Sequence, residues 1–381
     1  MNKWENKKKI VFLTGTRADF GKIKSLIEVL VESAEFEPYI FVTGMHLQEE
    51  YGYTLVEIER CGFPHIDTFD NFTHEKTMDL TLAKTIDGFS RYIKIIKPDL
   101  IVVHGDRVEA LAGAITGALN NTLVAHIEGG EVSGTIDELI RHSTSKMSHI
   151  HFVSNEEAKT RLLKMGELEE SIFTIGSPDL DVMFSDLPSL DLVKKYYNID
   201  FDNYGILMFH PVTTDYANIQ DHAKVIVDAL LESQKKYIVI YPNNDLGSKL
   251  ILNEYERLKG NANFKIYPSL RFEYFLTLLK NADFIIGNSS AGIREAPCYG
   301  VHSINIGDRQ MNRSSNEAIH NVPYSKEHIH KALNDIPKKA DAAIASNMEF
   351  GEGNSKNKFF EILSQTDIWE LSCQKQFRDN F

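Results

Sequence analysis

The sequence predicts an α/β protein built from two doubly wound parallel-sheet domains with a cleft between them. Three observations lead there. Short apolar runs rich in Val, Ile and Phe alternate with stretches of helical spacing, the pattern of parallel strands covered on both faces. The alternation occupies residues 8–178, lapses, and restarts at residue 205. Most of the apolar runs end in polar residues, and doubly wound sheets bind ligands just beyond the carboxyl ends of their strands.

In chain order, Lys8–Thr16 reads as a buried strand and Ile23–Ser33 as a helix. Pro38–Gly44 is the second strand, and Thr77–Lys97 is a long helix stopped by Pro98, which cannot continue the hydrogen-bond ladder. Leu100–Asp106 is a strand, Val108–Leu119 an Ala- and Gly-rich helix, Thr122–Gly130 a strand and Asp137–Ser148 a helix. His149–Asn155 and Ile172–Pro178 complete the first set. The charged stretch Asp179–Asn203, with Pro188, reads as the inter-domain connection. Gly205–Pro211, Tyr237–Pro242, Phe264–Pro268, Asp283–Ser289 and His302–Gly307 are the strands of the second set. Beyond Gly351 and Gly353, Ser355–Phe381 reads as helical. The predicted domains are 1–180, 204–355 and a C-terminal helical segment, 356–381, that returns to the first.

Composition bounds the function. At roughly 150 residues per domain, 381 residues make two or three domains. Lys plus Arg total 41 against 54 Asp plus Glu, a net charge of −13. That balance argues against a nucleic-acid partner but leaves room for a small anion held by a few local cations. The three cysteines, Cys61, Cys298 and Cys373, have neither metal-ligand nor redox spacing. The N-terminal apolar run is short of a signal core, and no run nears the roughly 18 residues of a membrane span. A soluble, cytoplasmic protein with no membrane partner is expected.

The strand ends carry the chemistry. Gly15–Gly21 (GTRADFG) joins the first strand to the first helix. A glycine-bearing turn exposes amides that attract phosphate, and Arg17 adds a forked cation. It is neither a Walker A loop nor GxGxxG. His104–Arg107 (HGDR) and His126–Glu131 (HIEGGE) end two strands, and Thr135–His142 (TIDELIRH) opens the next helix. Asp106, Glu128 and Asp137 therefore gather at one rim, the layout of an acid–base site. Asp137 alone also suits a helix cap. In the second half His210 ends a strand within FHPVTTD, and Gly287–Ala296 (GNSSAGIREA) joins strand to helix. There Asn288, Ser289, Ser290 and helix-start amides face an anion, and Glu295, about a turn into the helix, suits a pair of ribose hydroxyls. Other patterns carry no weight. His126-Ile-Glu128 lacks the paired cysteines of a zinc deaminase, and Asp179-Leu180-Asp181 falls outside the strand-end cluster. His149 and His151 are read as pointing to opposite faces, so no zinc site is expected.

Together, GTRADFGK, HGDR, AHIEGGEVSGTIDELIRH, FHPVTTD, YPNNDLGSK, IIGNSSAGIREA and INIGDRQ, in this order over about Lys8–Leu363, resemble the hydrolysing UDP-N-acetylglucosamine 2-epimerases of sialic-acid biosynthesis. Non-hydrolysing relatives have an Ala-Gly-Leu-Arg run where this chain has Gly129-Gly130-Glu131-Val132. The resemblance implies two Rossmann-like domains arranged as in GT-B glycosyltransferases, with UDP in the cleft and a homodimer or homotetramer. It makes Asp106, Glu128 and Asp137 the catalytic carboxyls and puts His210 on the diphosphate or leaving oxygen. It assigns Arg17, Ser289, Ser290 and Arg309 to phosphates, with Arg313 as a helper, and Glu295 to the ribose. Asn243 and Phe275 belong to the sugar-nucleotide and uracil surfaces, and Arg107 to the sugar or diphosphate. No cofactor or metal is implied, since these cations can stabilise the departing diphosphate. Three alternatives stay open: an epimerase of a 2,4-diacetamido-trideoxy sugar nucleotide, a glycosyltransferase of the same fold, and a sugar-nucleotide sensor. The last fits poorly, because a binder of a dianion gains nothing from three nearby carboxylates.

Overall fold

The computed structural model describes residues 6–75, 77–337 and 349–376. They divide into two compact units. The first holds the chain up to Glu131, then Asp137–Ser185 and the chain from Glu349. The second holds Val132–Ile136 and the described residues between Asp186 and Met348. No helix among the described residues is long and apolar enough to cross a membrane.

The first unit is built on β1 (Lys8–Thr14), β2 (Phe36–Val42), β3 (Ile66–Thr68), β4 (Leu100–His104), β5 (Leu123–Ile127), β6 (Ile150–Val153) and β7 (Ile172–Thr174). They form one sheet in the order β3-β2-β1-β4-β5-β6-β7. The second unit has β8 (Gly205–Met208), β9 (Tyr237–Ile240), β10 (Phe264–Tyr267), β11 (Phe284–Gly287), β12 (His302–Ile306) and β13 (Ile319–Val322), ordered β10-β9-β8-β11-β12-β13. Every pairing is parallel. Both sheets are doubly wound as predicted, and strand order reverses between β1 and β4 and between β8 and β11. The crevice at such a reversal is where this architecture holds ligands.

The central strands are apolar throughout because both faces are covered. Ile10 and Phe12 of β1 face one cluster, with Leu26, Ile40 and Val102, and Val11 and Leu13 face another, with Phe41, Ile101 and Val103. Two edge strands were not predicted. β3 (IDT) and β13 (IHNV) are short, half polar and partly exposed, so neither makes an apolar run. The first helix spans Arg17–Val31, six residues earlier than its apolar spacing suggests. Thr16 caps it, with Asp19 returning a bond to the Thr16 amide, and this box outweighs the helix-weakening Gly21.

The stretch read as a connection is partly ordered into Pro178–Met183 and Leu190–Tyr197 helices. Its two aspartates are structural. Asp179 is buried 3.7 Å from Lys22 Nζ, and Asp181 accepts the Ser355 and Lys356 amides at 2.8 and 2.7 Å. Asp181 thus caps the Ser355–Leu363 helix, whose Phe359 packs on Phe12 and Phe152. That helix is shorter than predicted. It is followed by a 3-10 turn at Asp367–Glu370, and the rest of the prediction, 377–381, lies outside the described residues.

His149 and His151 do not diverge as expected. Positions two apart along a strand share a face, and both rings lie near Lys375. His151 Nε2 is 2.9 Å from Glu167, whose side chain is 1% exposed and also takes Lys146 at 2.8 Å and Lys375. Burial pushes the Glu167 carboxyl up, but the His151 hydrogen bond and the two ammonium groups outweigh it and hold it at about 2 against an ordinary 4.5. A depressed carboxyl stabilises the fold above its unfolded value, and that contribution fades as pH falls toward the folded one. Glu167→Gln should therefore flatten the loss of stability between pH 4.5 and 2. Denaturant titrations through that window check this, and a slope equal to wild type would refute it.

Candidate active site

In the first unit the predicted residues cluster at the ends of β1, β4 and β5 and at the start of the Ile136–Met147 helix. Arg17 opens the first helix from a turn that Asp19 fixes, accepting the Gly15 and Thr16 amides at 3.0 and 3.2 Å and the Thr14 hydroxyl. Burial raises Asp19 to about 6 in spite of these bonds. His46 backs the turn, its Nε2 lying 3.0 Å from Thr14 Oγ1. Burial, and then the Arg17 charge, push His46 down to about 3. This imidazole is therefore neutral and structural.

Asp106 lies two residues past β4 and accepts from Arg141 Nη2. Arg141 is 1% exposed. Burial works against its charge, but Asp106, Glu131, Glu128 and Asp137 outweigh burial and hold it above the ordinary arginine value. The charges of all three predicted carboxyls and of a fourth thus act on one buried guanidinium, which hydrogen-bonds Asp106. Glu131 is also buried and accepts from Ser154 Oγ at 2.9 Å. Glu128 has a left-handed backbone, φ 70°, which turns it out of β5. Its Oε1 takes Lys22 Nζ at 3.1 Å, and His104 Nε2 lies 3.7 Å from Oε2. His126 is buried and held down to about 3, chiefly by burial. Its neutral ring spans Gly105 O at 2.8 Å and Ser145 Oγ at 2.9 Å, which ties the turn bearing Asp106 to the helix bearing Asp137. Arg107 caps the Val108–Leu119 helix, its Nε 3.3 Å from Glu109.

Lys22, His104 and Arg141 were not singled out from the sequence. Arg141 had a signal, because it stands four residues after Asp137 and so on the same helix face. Lys22 had a weaker one, a lone cation between Gly21 and Ile23 on an apolar helix face.

The second unit has its own cluster at the ends of β8, β9, β11 and β12. His210 Nδ1 accepts the Asn243 amide at 3.0 Å, which leaves Nε2 to carry the proton of a neutral ring. Asn243 thus acts through its backbone, while its side chain donates to Asp245. Ser289 Oγ caps a 3-10 turn, accepting the Ala291 amide at 3.3 Å, and Ser290 opens that turn. The helix expected here is broken. Glu295 is not a turn inside it but begins a four-residue helix, Glu295–Cys298, and is 3% exposed. Pro297, which has no amide hydrogen for the Ile293 carbonyl, keeps this helix from running back into the preceding turn, and Gly300, at φ 67°, follows its end. Arg309 Nη1 donates to Asn288 O at 3.2 Å, and Arg313 Nη1 donates to Gln310 Oε1 at 2.9 Å. Phe275 sits on the Phe272–Lys280 helix and is 7% exposed, which leaves little ring surface for a base. Val132–Ile136 packs with this unit, and the Gly134 amide donates to Arg309 O at 3.1 Å. Only glycine fits there, since a Cβ would lie 2.3 Å from Asp308 O.

Known proteins match this chain over nearly its whole length. The family profile described as UDP-N-acetylglucosamine 2-epimerase matches residues 28–364. The UDP-N-acetylglucosamine 2-epimerase of Neisseria meningitidis serogroup B is 47% identical, over 98% of this chain and 99% of its own. The hydrolysing UDP-N,N'-diacetylbacillosamine 2-epimerase of Legionella pneumophila is 33% identical, over 93% of this chain and 95% of its own. The crystal structure of Methanocaldococcus jannaschii UDP-GlcNAc 2-epimerase in complex with UDP-GlcNAc and UDP superposes with TM-score 0.79 at 26% identity, over 93% of this chain and 99% of that one. The chain belongs to the UDP-N-acetylglucosamine 2-epimerase family.

Proposed function

We propose that this enzyme hydrolyses UDP-N-acetylglucosamine to N-acetylmannosamine and UDP, as a step toward nonulosonic (sialic) acids. The observation that carries the reading is that Arg141, a buried guanidinium, donates to Asp106 and feels the charges of Glu128 and Asp137 as well. Inverting C2 of an N-acetylhexosamine means removing a hydrogen that is barely acidic. Departure of UDP, taking the C1–O electron pair, leaves an oxocarbenium-like ring that a carboxylate stabilises. A carboxylate base then removes the C2 proton and leaves a 2-acetamidoglucal. Water adds its hydroxyl to C1, and a carboxyl delivers a proton to C2 on the face opposite the original hydrogen. The sum is substrate plus water giving the manno sugar plus UDP. The groups proposed to stabilise the leaving diphosphate are Arg17, Arg107, His210, Arg309 and the Ser289–Ser290 turn. Glu295 holds the ribose.

The hydrolysing outcome is supported by Gly129-Gly130-Glu131-Val132. Its acid, Glu131, is drawn into the Arg141 cluster. The 47% identity to the Neisseria enzyme favours the N-acetylglucosamine nucleotide over the diacetamido sugar of the Legionella enzyme. Proton NMR of UDP-N-acetylglucosamine with enzyme in heavy water tests the reading. Free N-acetylmannosamine deuterated at C2 and free UDP are expected, with no acceptor added. Accumulation of UDP-N-acetylmannosamine, or turnover of the diacetamido nucleotide alone, would overturn it.

A further inference from the structure

Asn288 lies one residue past β11 and is fully buried, 0% exposed. Its side chain does not face an anion, as its place beside two serines suggested. Oδ1 accepts the His210 amide at 2.7 Å, and Nδ2 donates to the His210 carbonyl at 2.9 Å. The β8–β11 ladder stops at Met208 and Gly287, so the Asn288 amide adds one more rung exactly where His210 leaves the sheet. The residue's main chain is committed as well. Its N–H donates to Met208 O at 3.1 Å. Its carbonyl accepts Arg309 Nη1 at 3.2 Å and Gln310 Nε2 at 3.1 Å, and Gln310 in turn holds Arg313.

We propose that Asn288 is the positioning residue of the second unit's half-site, fixing His210, Arg309 and Arg313 together without touching substrate. The inference rests on the reading above that His210 and Arg309 serve the diphosphate, with Arg313 as a helper. The chemistry singles out asparagine. The His210 main chain offers one donor and one acceptor, and an amide offers the complementary pair at the right reach. Aspartate keeps the acceptor but sets a carboxylate against the His210 carbonyl. Alanine removes the partner of both main-chain groups. Glutamine is one carbon too long. Placement matters here because hydrogen-bond donors stabilise a leaving group only when held at its position before it departs.

The test is a double-mutant cycle on the full chain. UDP affinity is measured by calorimetry, and hydrogen exchange is followed at His210 and Asn243. Asn288→Ala should weaken UDP binding about tenfold or more and speed exchange at both amides. Asn288→Asp, which keeps the size and one bond, should do the same in milder form and guards against a misfolded variant. In a His210→Ala background, Asn288→Ala should lose at least half of its effect on binding, expressed in log units, because part of what it positions is already gone. Undiminished, additive effects would show a merely structural role and overturn the proposal, as would unchanged UDP affinity with either variant. Wild-type protein that fails to bind UDP, while both variants still loosen His210 and Asn243, would refute the functional reading and leave the placement of His210 by Asn288 standing.

Discussion

Glu128→Gln should lower turnover by about three orders of magnitude, within the range that loss of a positioned acid or base costs. UDP affinity should stay within about threefold of wild type. The substitution keeps the shape of the side chain and removes one charge. Glu128 is 5% exposed, is turned from β5 by its left-handed backbone, and is flanked by Lys22 at 3.1 Å and His104 at 3.7 Å. An amide in that place neither takes the C2 proton nor balances a cationic ring. The fold should survive, because Lys22 keeps Asp179 at 3.7 Å and its ammonium is not left alone in the interior. Steady-state kinetics give the first quantity, calorimetry with UDP the second, and thermal melting verifies the fold. Normal turnover in this variant would remove Glu128 from the chemistry. A parallel loss of UDP affinity would make it a binding residue instead.

How much of this was legible in the sequence depends on how many faces an element covers. The central strands β1, β4, β8 and β11 were found because burial on both faces leaves uninterrupted apolar runs, and their polar ends pointed to Asp106, Glu128 and His210. β3 and β13 were missed for the converse reason, since an edge strand with polar residues looks like a loop. The first helix began at a cap rather than at its first apolar residue. Glu295 was placed on a regular helix because the spacing of GNSSAGIREA carries no sign that Pro297 and a 3-10 turn break it. The partners of the acids were harder still. Arg141 and Lys22 carry only a spacing signal in one dimension, and the fold reveals that both are buried. Asn288 looked like an anion ligand because its neighbours do, while its side chain belongs to a main chain 78 residues away.

Gly287→Ala should cost the second unit about 3 kcal/mol or more, combining a backbone conformation unsuited to L side chains with a hard steric conflict. Gly287 ends β11 with φ 131°, and a Cβ there would lie 2.0 Å from Met208 O, 2.6 Å from Met208 C and 3.2 Å from the Phe209 nitrogen. All three are backbone atoms, of the last residue of β8 and of Phe209 just after it, so no side chain can swing aside to relieve the contact. Either β8 and β11 part at their carboxyl ends or the turn after β11 rearranges, and both movements pull Asn288 from His210. Stability and UDP affinity should therefore fall together. Gly260→Ala is the control. Its φ is 77° but a Cβ meets nothing within 4 Å, so only the left-handed backbone is penalised, by about 1–2 kcal/mol, and UDP binding is untouched. Denaturant titration of the two variants beside wild type measures the difference. Equal losses would mean that the strand ends yield freely at Met208, and that the rung formed by Asn288 does not depend on how closely β8 and β11 approach.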